Sequence, residues 1–431
     1  MKKCRLILKR LSVLALVAMF LLVSVPVGAD ESKTISLWGW QGELEDAWLN
    51  HLIPDFEAAN PGVKVELILL PWDQYWQKVQ TAMVSDSLPD LLIMSVAYVD
   101  SYAASGALIN LKPYIERDID RSLYFEAGVK TTRYPDVETG DEYAFPWNMV
   151  CNTLYYNTTL FDNAGIPYPT EDWTWDDMRQ AALKLTNITD SMETTVYGFG
   201  VGAGYESIDS IIYANGGALV SDDLSTAVIN SPENIATLQF LKDLIYEDKV
   251  SPELGQIGAG SILSFATGQV AMEIGGAWAL EAYASNNKFD WDIVPLPKGS
   301  TGERFIRSWS DSIAISKDSN YPDEAWEFIK FFVGPKGQTI ENLTSTRIPI
   351  LISATVDPAW LQPGSVPKHK NYLADYLDES SPLIFRGGWN EWNTIAFNEF
   401  FLALTNEKAI DQALSDAQTG IQGVLDEYTA K

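Results

Sequence analysis

An α/β fold is predicted by three features of this 431-residue chain. Short apolar runs alternate with amphipathic helical runs near the amino end, an order typical of a parallel sheet covered by helices. Turns that carry glycine, tryptophan and polar residues follow these runs. The length corresponds to two domains of ordinary size, and 46% hydrophobic with 20% charged residues is a globular balance.

Residues 1–29 have the composition of a signal peptide. Five basic residues precede an apolar run over residues 11–25, and Val27 and Ala29 suit the −3 and −1 cleavage positions. We therefore expect an exported, soluble mature chain that begins at Asp30. No later apolar stretch is long enough to span a membrane. Cys4 precedes the apolar run, so a lipid anchor at the cleavage site is not expected.

The mature chain is strongly acidic. Removing the signal peptide takes away five of 30 basic residues and none of 58 acidic ones, leaving 25 minus 58, or −33. This charge argues against nucleic acid and anionic membranes as partners, since both need basic patches. Cys151 is the one remaining cysteine, so no internal disulfide forms. His51 and His369 lie far apart in sequence, and no metal or other cofactor is predicted.

The first three predicted strands span residues 34–38, 63–70 and 90–94, with helices at 43–60 and 75–84 between them. In an open α/β sheet, the ligand crevice lies beyond the carboxyl ends of the strands. The residues at or just after these ends are therefore candidate ligand contacts: Trp38, Trp40, Gln41, Trp72, Asp73 and Ser95.

The middle of the chain continues the α/β pattern. Extended segments surround Trp147 and Asn148, and Thr174 is placed to cap a helix over residues 175–186. Residues 196–201 form another extended piece, which leads to Tyr205.

Residues 265–278, FATGQVAMEIGGAW, predict a short buried strand that ends in a glycine pair and feeds a helix. Gly275 and Gly276 allow a ligand to approach the backbone closely, near free N–H groups at the helix start. Trp278 lies in that first turn, where it is a candidate stacking platform.

Six segments occur in an order that resembles the extracellular solute-binding protein family 1. These proteins are the sugar-type substrate-binding components of ABC importers, similar to maltose-binding and glycerol-phosphate-binding proteins. The segments are residues 140–166, 174–186, FATGQVAMEIGGAW, FDWDIVPLPKG at 289–299, residues 314–338 and RIPI at 347–350. The resemblance implies a two-lobe, type II-like periplasmic-binding-protein fold, whose lobes are joined by crossing hinge strands and close on a ligand between them.

The same resemblance implies lobe boundaries. The first lobe would hold residues 30–140 plus 275–315, and the second residues 141–274 plus 316–431. The chain would then cross near Asp141, Ile274 and Ile315, which makes residues 265–278 a crossing strand. Trp278 and Trp309 would lie beside the cleft. Arg347 would lie near its floor, where it either contacts ligand or ties the lobes together.

The residue types at these turns suit a neutral sugar. Sugars present apolar C–H faces and rings of hydroxyls, so their sites pair flat aromatic side chains with polar groups at the edges. Each tryptophan is alternatively a core or rim residue. The candidate ligand contacts are Trp38, Trp40, Gln41, Trp72, Asp73, Ser95, Trp147, Asn148, Tyr205, Gly276, Trp278, Trp309, Asp311, Arg347, Trp389 and Glu391.

Two alternatives were weighed against this interpretation. A secreted glycoside hydrolase is suggested by Glu391 between Trp389 and Trp392, but hydrolysis needs a second carboxylate about 5 to 10 Å away, and nothing in the sequence pairs one with it. The chain also lacks the eight strand-helix units of a barrel glycosidase. The other alternative keeps the fold and binds a peptide, polyamine or sugar phosphate. An anion would need several basic residues at the cleft, and only Arg307 and Arg347 lie near the turns.

We therefore expect a non-enzymatic, monomeric receptor in the periplasm or on the outer face of the cell membrane. It would bind a neutral di- or oligosaccharide and deliver it to the transmembrane subunits of an ABC permease.

Overall fold

The computed structural model describes residues 32–41, 45–202, 204–256, 263–284, 288–342, 347–377, 379–382 and 388–429. The predicted signal peptide, residues 1–29, lies outside these ranges. Within them the chain forms two β-sheets flanked by helices and one two-stranded ribbon.

The strands are β1 (Lys33–Trp40), β2 (Val63–Leu70), β3 (Leu91–Ser95), β4 (Arg133–Tyr134), β5 (Asp141–Glu142), β6 (Phe145–Pro146), β7 (Asn148–Asn157), β8 (Met272–Gly276), β9 (Trp291–Val294), β10 (Arg307–Trp309), β11 (Asp311–Ile315), β12 (Ile348–Pro349) and β13 (Ser381–Pro382).

The α-helices are α1 (Glu45–Ala47), α2 (Ile53–Ala59), α3 (Trp72–Val84), α4 (Val96–Ala104), α5 (Lys112–Asp118), α6 (Glu126–Lys130), α7 (Thr158–Ala164), α8 (Trp175–Leu185), α9 (Tyr205–Ala214), α10 (Pro232–Tyr246), α11 (Ala279–Ala284), α12 (Pro322–Val333), α13 (Pro335–Asn342), α14 (Pro358–Leu361), α15 (Tyr372–Asp375), α16 (Trp389–Leu404) and α17 (Ile410–Thr429). A π-helical turn, Trp48–Leu52, joins α1 to α2, and 3-10 turns occupy Arg121–Leu123 and Ile352–Val356.

The first sheet has the order β2-β1-β3-β11-β6. Its first three strands are parallel, as the alternation of strands and helices predicts, with Lys33 opposite Val63 and Trp40 opposite Leu70. β11 runs antiparallel to β3 and places Asp311 opposite Ser95. The carboxyl ends of β1, β2 and β3 therefore meet at one edge of this sheet.

The second sheet is built on β7, whose ten residues are all buried. β12 and β10 pair with its first half, and β8 and β9 pair with its second half. β8 places Gly276 opposite Asn152, and β10 places Trp309 opposite Val150. This sheet is the framework of the second lobe.

The chain passes between the sheets at two direct strand junctions. β6 leads through Trp147 into β7, and β10 leads through Ser310 into β11. A third passage follows α13, because Glu341 accepts a hydrogen bond from Trp48 Nε1 at 2.7 Å in the first lobe, whereas β12 pairs with β7.

These pairings differ from the expected lobe boundaries. Residues 265–278 do not form a crossing strand, because β8 and the following β9 both pair with β7. Of residues 275–315, only β11 pairs within the first sheet. α12 also belongs with the first lobe rather than the second, since Trp326 Nε1 donates to Asp118 Oδ2 at 2.7 Å. The boundaries therefore lie near residues 310 and 342 instead of 275 and 315.

A buried ion pair joins β10 to α9. Arg307 Nε donates to Asp209 Oδ2, and the guanidinium lies 4.4 Å from the Tyr213 ring centroid and 4.6 Å from that of Phe305. Asp209 Oδ1 is buried and has no hydrogen-bond partner among the described residues. Burial raises the pKa of the Asp209 carboxyl, and the charge of Arg307 opposes that rise. The carboxylate thus depends on one cation.

A half-buried carboxyl lies on β8. Glu273 accepts a hydrogen bond from the backbone N–H of Phe265 at 3.2 Å. Burial raises the pKa of Glu273 to about 6, and the hydrogen bonds from Phe265 and Tyr283 oppose the rise. Folding therefore favours the protonated form of this side chain.

Replacing Arg307 by Met should lower the free energy of unfolding by about 3–5 kcal/mol, because Asp209 then remains buried without its cation. Urea unfolding followed by circular dichroism measures the change. The double variant Arg307→Met with Asp209→Leu is the control and should recover most of the loss. A single variant as stable as the wild type would contradict this role of the pair.

Glu273 should make stability depend on pH. A carboxyl with a raised folded-state pKa stabilises the protein fully below its unfolded pKa, near 4.5, and loses that contribution as pH rises through about 6. Glu273→Gln removes this titration. The free energy of unfolding of the variant minus that of the wild type should therefore increase by about 1–2 kcal/mol from pH 4 to pH 8. Unfolding measured at both pH values tests this. A variant whose difference from the wild type is the same at both would refute it.

Candidate ligand-binding site

An aromatic cluster covers the carboxyl edge of the first sheet. Trp40 ends β1, and its ring centroid lies 5.0 Å from that of Trp72, the first residue of α3. One turn later, Trp76 stacks at 3.9 Å against Tyr98 of α4. Trp72 is 44% exposed, so this cluster presents an open apolar surface.

The other first-lobe candidates have different environments. Gln41 is exposed and donates its backbone N–H to Leu70 O at 2.8 Å, and Asp73 is exposed in the first turn of α3. Burial raises the pKa of Tyr98, and the nearby charge of Asp73 adds to the rise. Trp38 is half-buried, with Lys78 Nζ 4.1 Å from its ring centroid, so it packs beneath α3.

Four polar candidates meet where the strands cross. Asn148 Nδ2 donates to Asp311 Oδ2 at 3.1 Å, and the Asp311 N–H donates to Asn148 Oδ1 at 3.0 Å. Arg347 forms an ion pair with Asp311, which lies opposite Ser95 in the sheet. Asn148 and Asp311 are buried, so these side chains tie the crossing segments to one another. The ion pair ties Arg347 to the crossing segment that carries Asp311, and contact of Arg347 with a ligand stays a prediction.

Trp147 belongs to the core rather than to the cleft. Its ring stacks on Phe332 at 5.3 Å between centroids and meets Trp48 at 5.8 Å. It is 2% exposed, so no face is open to a ligand in this structure. Its place beside a strand end is the same as that of Trp40, but its side chain points into the helical cover of the first sheet.

The second lobe contributes a tryptophan pair. The Trp278 and Trp309 rings lie 5.3 Å apart between centroids, tilted by 46°. Trp278 folds back over Gly276, where a Cβ atom would come within 1.8 Å of the indole ring. The glycine predicted for close approach of a ligand thus makes room for this ring. Tyr155 fixes the turn by donating its hydroxyl to Gly276 O at 2.8 Å.

The two aromatic groups adjoin the same junction. Tyr98 follows Ser95 by three residues, and Trp309 precedes Asp311 by two. Because Ser95 and Asp311 are opposite each other, the strand ends next to the first-lobe cluster and the second-lobe pair meet at this junction.

The remaining candidates lie at helix starts. Trp389 and Glu391 occupy the first turn of α16 and line a cavity of about 310 Å³ together with residues of α3 and α4. Tyr205 is the first residue of α9, and its side chain lies outside the described part of the structure.

The candidates from the sequence did not include Tyr98 and Tyr102, which line that cavity from α4, or Trp76, which contacts Tyr98. Position offers a signal for Tyr98, which lies one turn beyond the strand end at Ser95. Tyr102 follows at a further helical spacing, which is equally typical of a core residue.

The described residues offer little support for a cysteine nucleophile, a metal site or a membrane-spanning helix. Cys151 is buried, its Sγ lies 3.5 Å from Leu373 O, and burial raises the pKa of its thiol to about 12, so it is not an activated nucleophile. No cluster of three or more metal-ligating side chains occurs in these ranges. No helix there combines the length and apolar character needed to cross a bilayer.

Several known proteins are similar to this chain in sequence and in fold. The family model of the bacterial extracellular solute-binding proteins matches residues 41–339. The diacetylchitobiose-binding protein DasA of Streptomyces coelicolor is 27% identical over 330 residues, 72% of each chain. The arabinooligosaccharide-binding protein of Bacillus subtilis is 24% identical and covers 76% of this chain and 77% of its own. Alignments with three Brucella relatives span 66% of those proteins.

Two solved structures illustrate the similarity of fold. The ABC substrate-binding protein Lmo0181 of Listeria monocytogenes, in complex with cycloalternan, superimposes with a TM-score of 0.81 at 25% identity, over 92% of this chain and 99% of its own. The maltose-bound MalE3 of T. maritima has a TM-score of 0.76 at 21% identity, over 91% of this chain and 100% of its own. The chain has the two-lobe solute-binding fold and belongs to the bacterial extracellular solute-binding protein family.

Proposed function

We propose that this protein is the substrate-binding component of an ABC importer for a neutral di- or oligosaccharide. The observation that carries the proposal is the aromatic group beside each strand end at the junction: Trp40 with the exposed Trp72 in one lobe, and the half-buried Trp278 on the buried Trp309 in the other. Flat rings on two lobes suit the apolar faces of successive sugar units. Relatives named for diacetylchitobiose and arabinooligosaccharide binding support the same ligand class.

Charge favours a neutral ligand. The two arginines near the cleft are already engaged, Arg307 with Asp209 and Arg347 with Asp311. A phosphate or other anion would have to compete with these carboxylates for its cation.

The mechanism is hinge closure. A sugar that contacts both aromatic groups stabilises the state in which the lobes approach each other, because neither lobe alone completes the site. The crossing strands carry the change in lobe angle. The exported receptor then presents the closed form to the transmembrane subunits of the permease, as a monomer in the periplasm or at the outer face of the membrane.

The proposal is for a receptor without catalytic activity. A hydrolase needs two carboxyl groups across the scissile bond. Two carboxyl groups that could act with Glu391 are already engaged: Asp311 with Arg347 and Asn148, and Glu273 with the backbone N–H of Phe265. Neither is placed as a free acid or base.

Titration of the mature protein with mono-, di- and oligosaccharides should give a saturable change in tryptophan fluorescence at micromolar concentration, because the ligand covers indole rings. Chromatography of the bound sugar should recover it intact. Recovery of cleavage products would favour the hydrolase instead. If no sugar gives a response but a polyamine, peptide or sugar phosphate binds, the proposed ligand class is wrong and the fold assignment is unaffected.

Trp278→Ala should weaken sugar binding by about 1–3 kcal/mol, roughly 5- to 150-fold, because it removes one stacking surface and the support of Trp309. Isothermal titration calorimetry measures the affinity. Trp173→Ala is a matched control, since Trp173 is half-buried and packs against Phe161 outside the cleft. Equal affinities of the wild type and Trp278→Ala would exclude Trp278 from the site.

A further inference from the structure

Lys370 is a buried cation without a carboxylate beside it. The residue is 5% exposed, and it forms no ion pair in the described part of the chain. Burial lowers the pKa of its ammonium group to about 8, because the charged form is poorly solvated there. An apolar side chain of similar length would avoid this cost. A lysine at this position therefore indicates a role other than packing.

The ammonium group of Lys370 makes two contacts with Trp360. Its Nζ donates to Trp360 O at 2.6 Å and lies 5.0 Å from the centroid of the indole ring. Trp360 is fully buried and lies in the short helix α14, whose last carbonyl groups need donors from outside the helix. Lys370 therefore holds both the backbone and the ring of Trp360.

Trp360 in turn holds the backbone of Arg347. Trp360 Nε1 donates to Arg347 O at 2.7 Å. The guanidinium of Arg347 forms the ion pair with Asp311 and lies 5.9 Å from the Trp147 ring centroid. Because the indole fixes the main chain from which the Arg347 side chain extends, it helps to set the guanidinium against Asp311.

The segment that carries Lys370 is anchored to the second sheet. The N–H of His369 donates to Asp292 Oδ1 at 3.0 Å, and His369 Nδ1 lies 2.7 Å from Asp292 Oδ2. Asp292 is 2% exposed and lies on β9, which pairs with β7. Lys370 is the next residue, so its side chain extends from a fixed point in the second lobe towards Trp360.

We propose that Lys370 is a positioning residue for saccharide binding, which acts through Trp360 to hold Arg347 in place at the junction between the lobes. This inference rests on the proposed saccharide-binding function. The ion pair of Arg347 with Asp311 connects segments of the two lobes, so a ligand that bridges the lobes meets a junction that is already ordered. Loosening Arg347 adds the cost of ordering it to each binding event, and the affinity decreases.

The probe is chosen on the wild-type mature protein. Maltose, cellobiose, mannobiose and N,N′-diacetylchitobiose, each with its three- and four-unit homologues, are titrated by calorimetry. The saccharide that binds most tightly is then used for all variants.

Lys370→Met tests the first contact, because methionine has a similar length and no donor. Its affinity for the probe should be about three- to ten-fold lower than that of the wild type, the effect of one lost hydrogen bond. Trp360→Phe keeps an aromatic ring beside Lys370 and deletes the donor to Arg347 O. It should lower the affinity by a similar factor.

The double variant Lys370→Met with Trp360→Phe distinguishes positioning from independent packing defects. If both residues act on Arg347 in series, the double variant should bind the probe about as weakly as the weaker-binding single variant. Two independent defects would instead multiply their effects on the affinity.

Trp326→Phe is a matched control. Trp326 is also fully buried and also donates its indole N–H, in this case to Asp118 Oδ2 at 2.7 Å in the first lobe. The variant should melt at a lower temperature, because it loses the same kind of bond, and bind the probe with wild-type affinity.

The positioning role is overturned if Lys370→Met binds the probe as tightly as the wild type, or if the losses of the two single variants multiply in the double variant. Both outcomes leave the saccharide-binding function intact. Failure of every saccharide to bind the wild type would instead remove that function, and the positioning role with it.

Discussion

The junction between the two lobes depends on one buried carboxylate. Asp311 is 5% exposed and accepts from Arg347 and from the Asn148 side chain. Its carbonyl accepts from the Trp147 N–H at 3.0 Å, and its strand register sets it opposite Ser95. A carboxylate so far from water is stable only with such donors, and the donors come from each of the segments that connect the sheets. Because these donors must all reach Asp311, their hydrogen bonds fix the relative positions of the segments that carry them.

The second-lobe platform follows from this junction. Residues alternate between the two faces of β10, so Arg307 and Trp309 share a face, and Arg307 is held by Asp209 of α9. Ser308 points to the opposite face, where its hydroxyl accepts from Ser380 at 2.7 Å. Trp309 is thus fixed between Asp311 on one side and the Arg307 ion pair on the other. Trp309 in turn supports the half-buried Trp278 ring, so a ligand that stacks on Trp278 would meet a ring that is already oriented, which reduces the entropy lost on binding.

Sequence patterns predicted the local elements well, because local chemistry specifies them. The first three strands and the cap of α8 are examples: Thr174 and Asp177 form a complete capping box. The lobe boundaries were wrong where pairing is not local. β9 pairs with β7, which lies more than a hundred residues earlier in the chain. An apolar run predicts a strand but does not specify which other strand it pairs with. The sequence also does not show which tryptophans belong to the core and which to the cleft. Trp40 and Trp147 both lie beside strand ends, and they differ in that Trp147 packs against Phe332.

The helix starts of this fold differ in how their first N–H groups are satisfied. α7, α8 and α10 begin at Asn157, Thr174 and Ser231, each of which caps its helix with a side-chain hydrogen bond. α4, which follows Ser95, and α16, which follows Gly388, have no such bond, and neither have α2, α5 and α12 away from the candidate site. Glycine at an N-cap costs only about a few tenths of a kcal/mol relative to a capping side chain, so little stability is lost at Gly388. At the start of α16 the N–H groups of Glu391 and Trp392 donate to Gly388 O at 2.9 and 3.0 Å, so the backbone itself closes this turn where no side chain does.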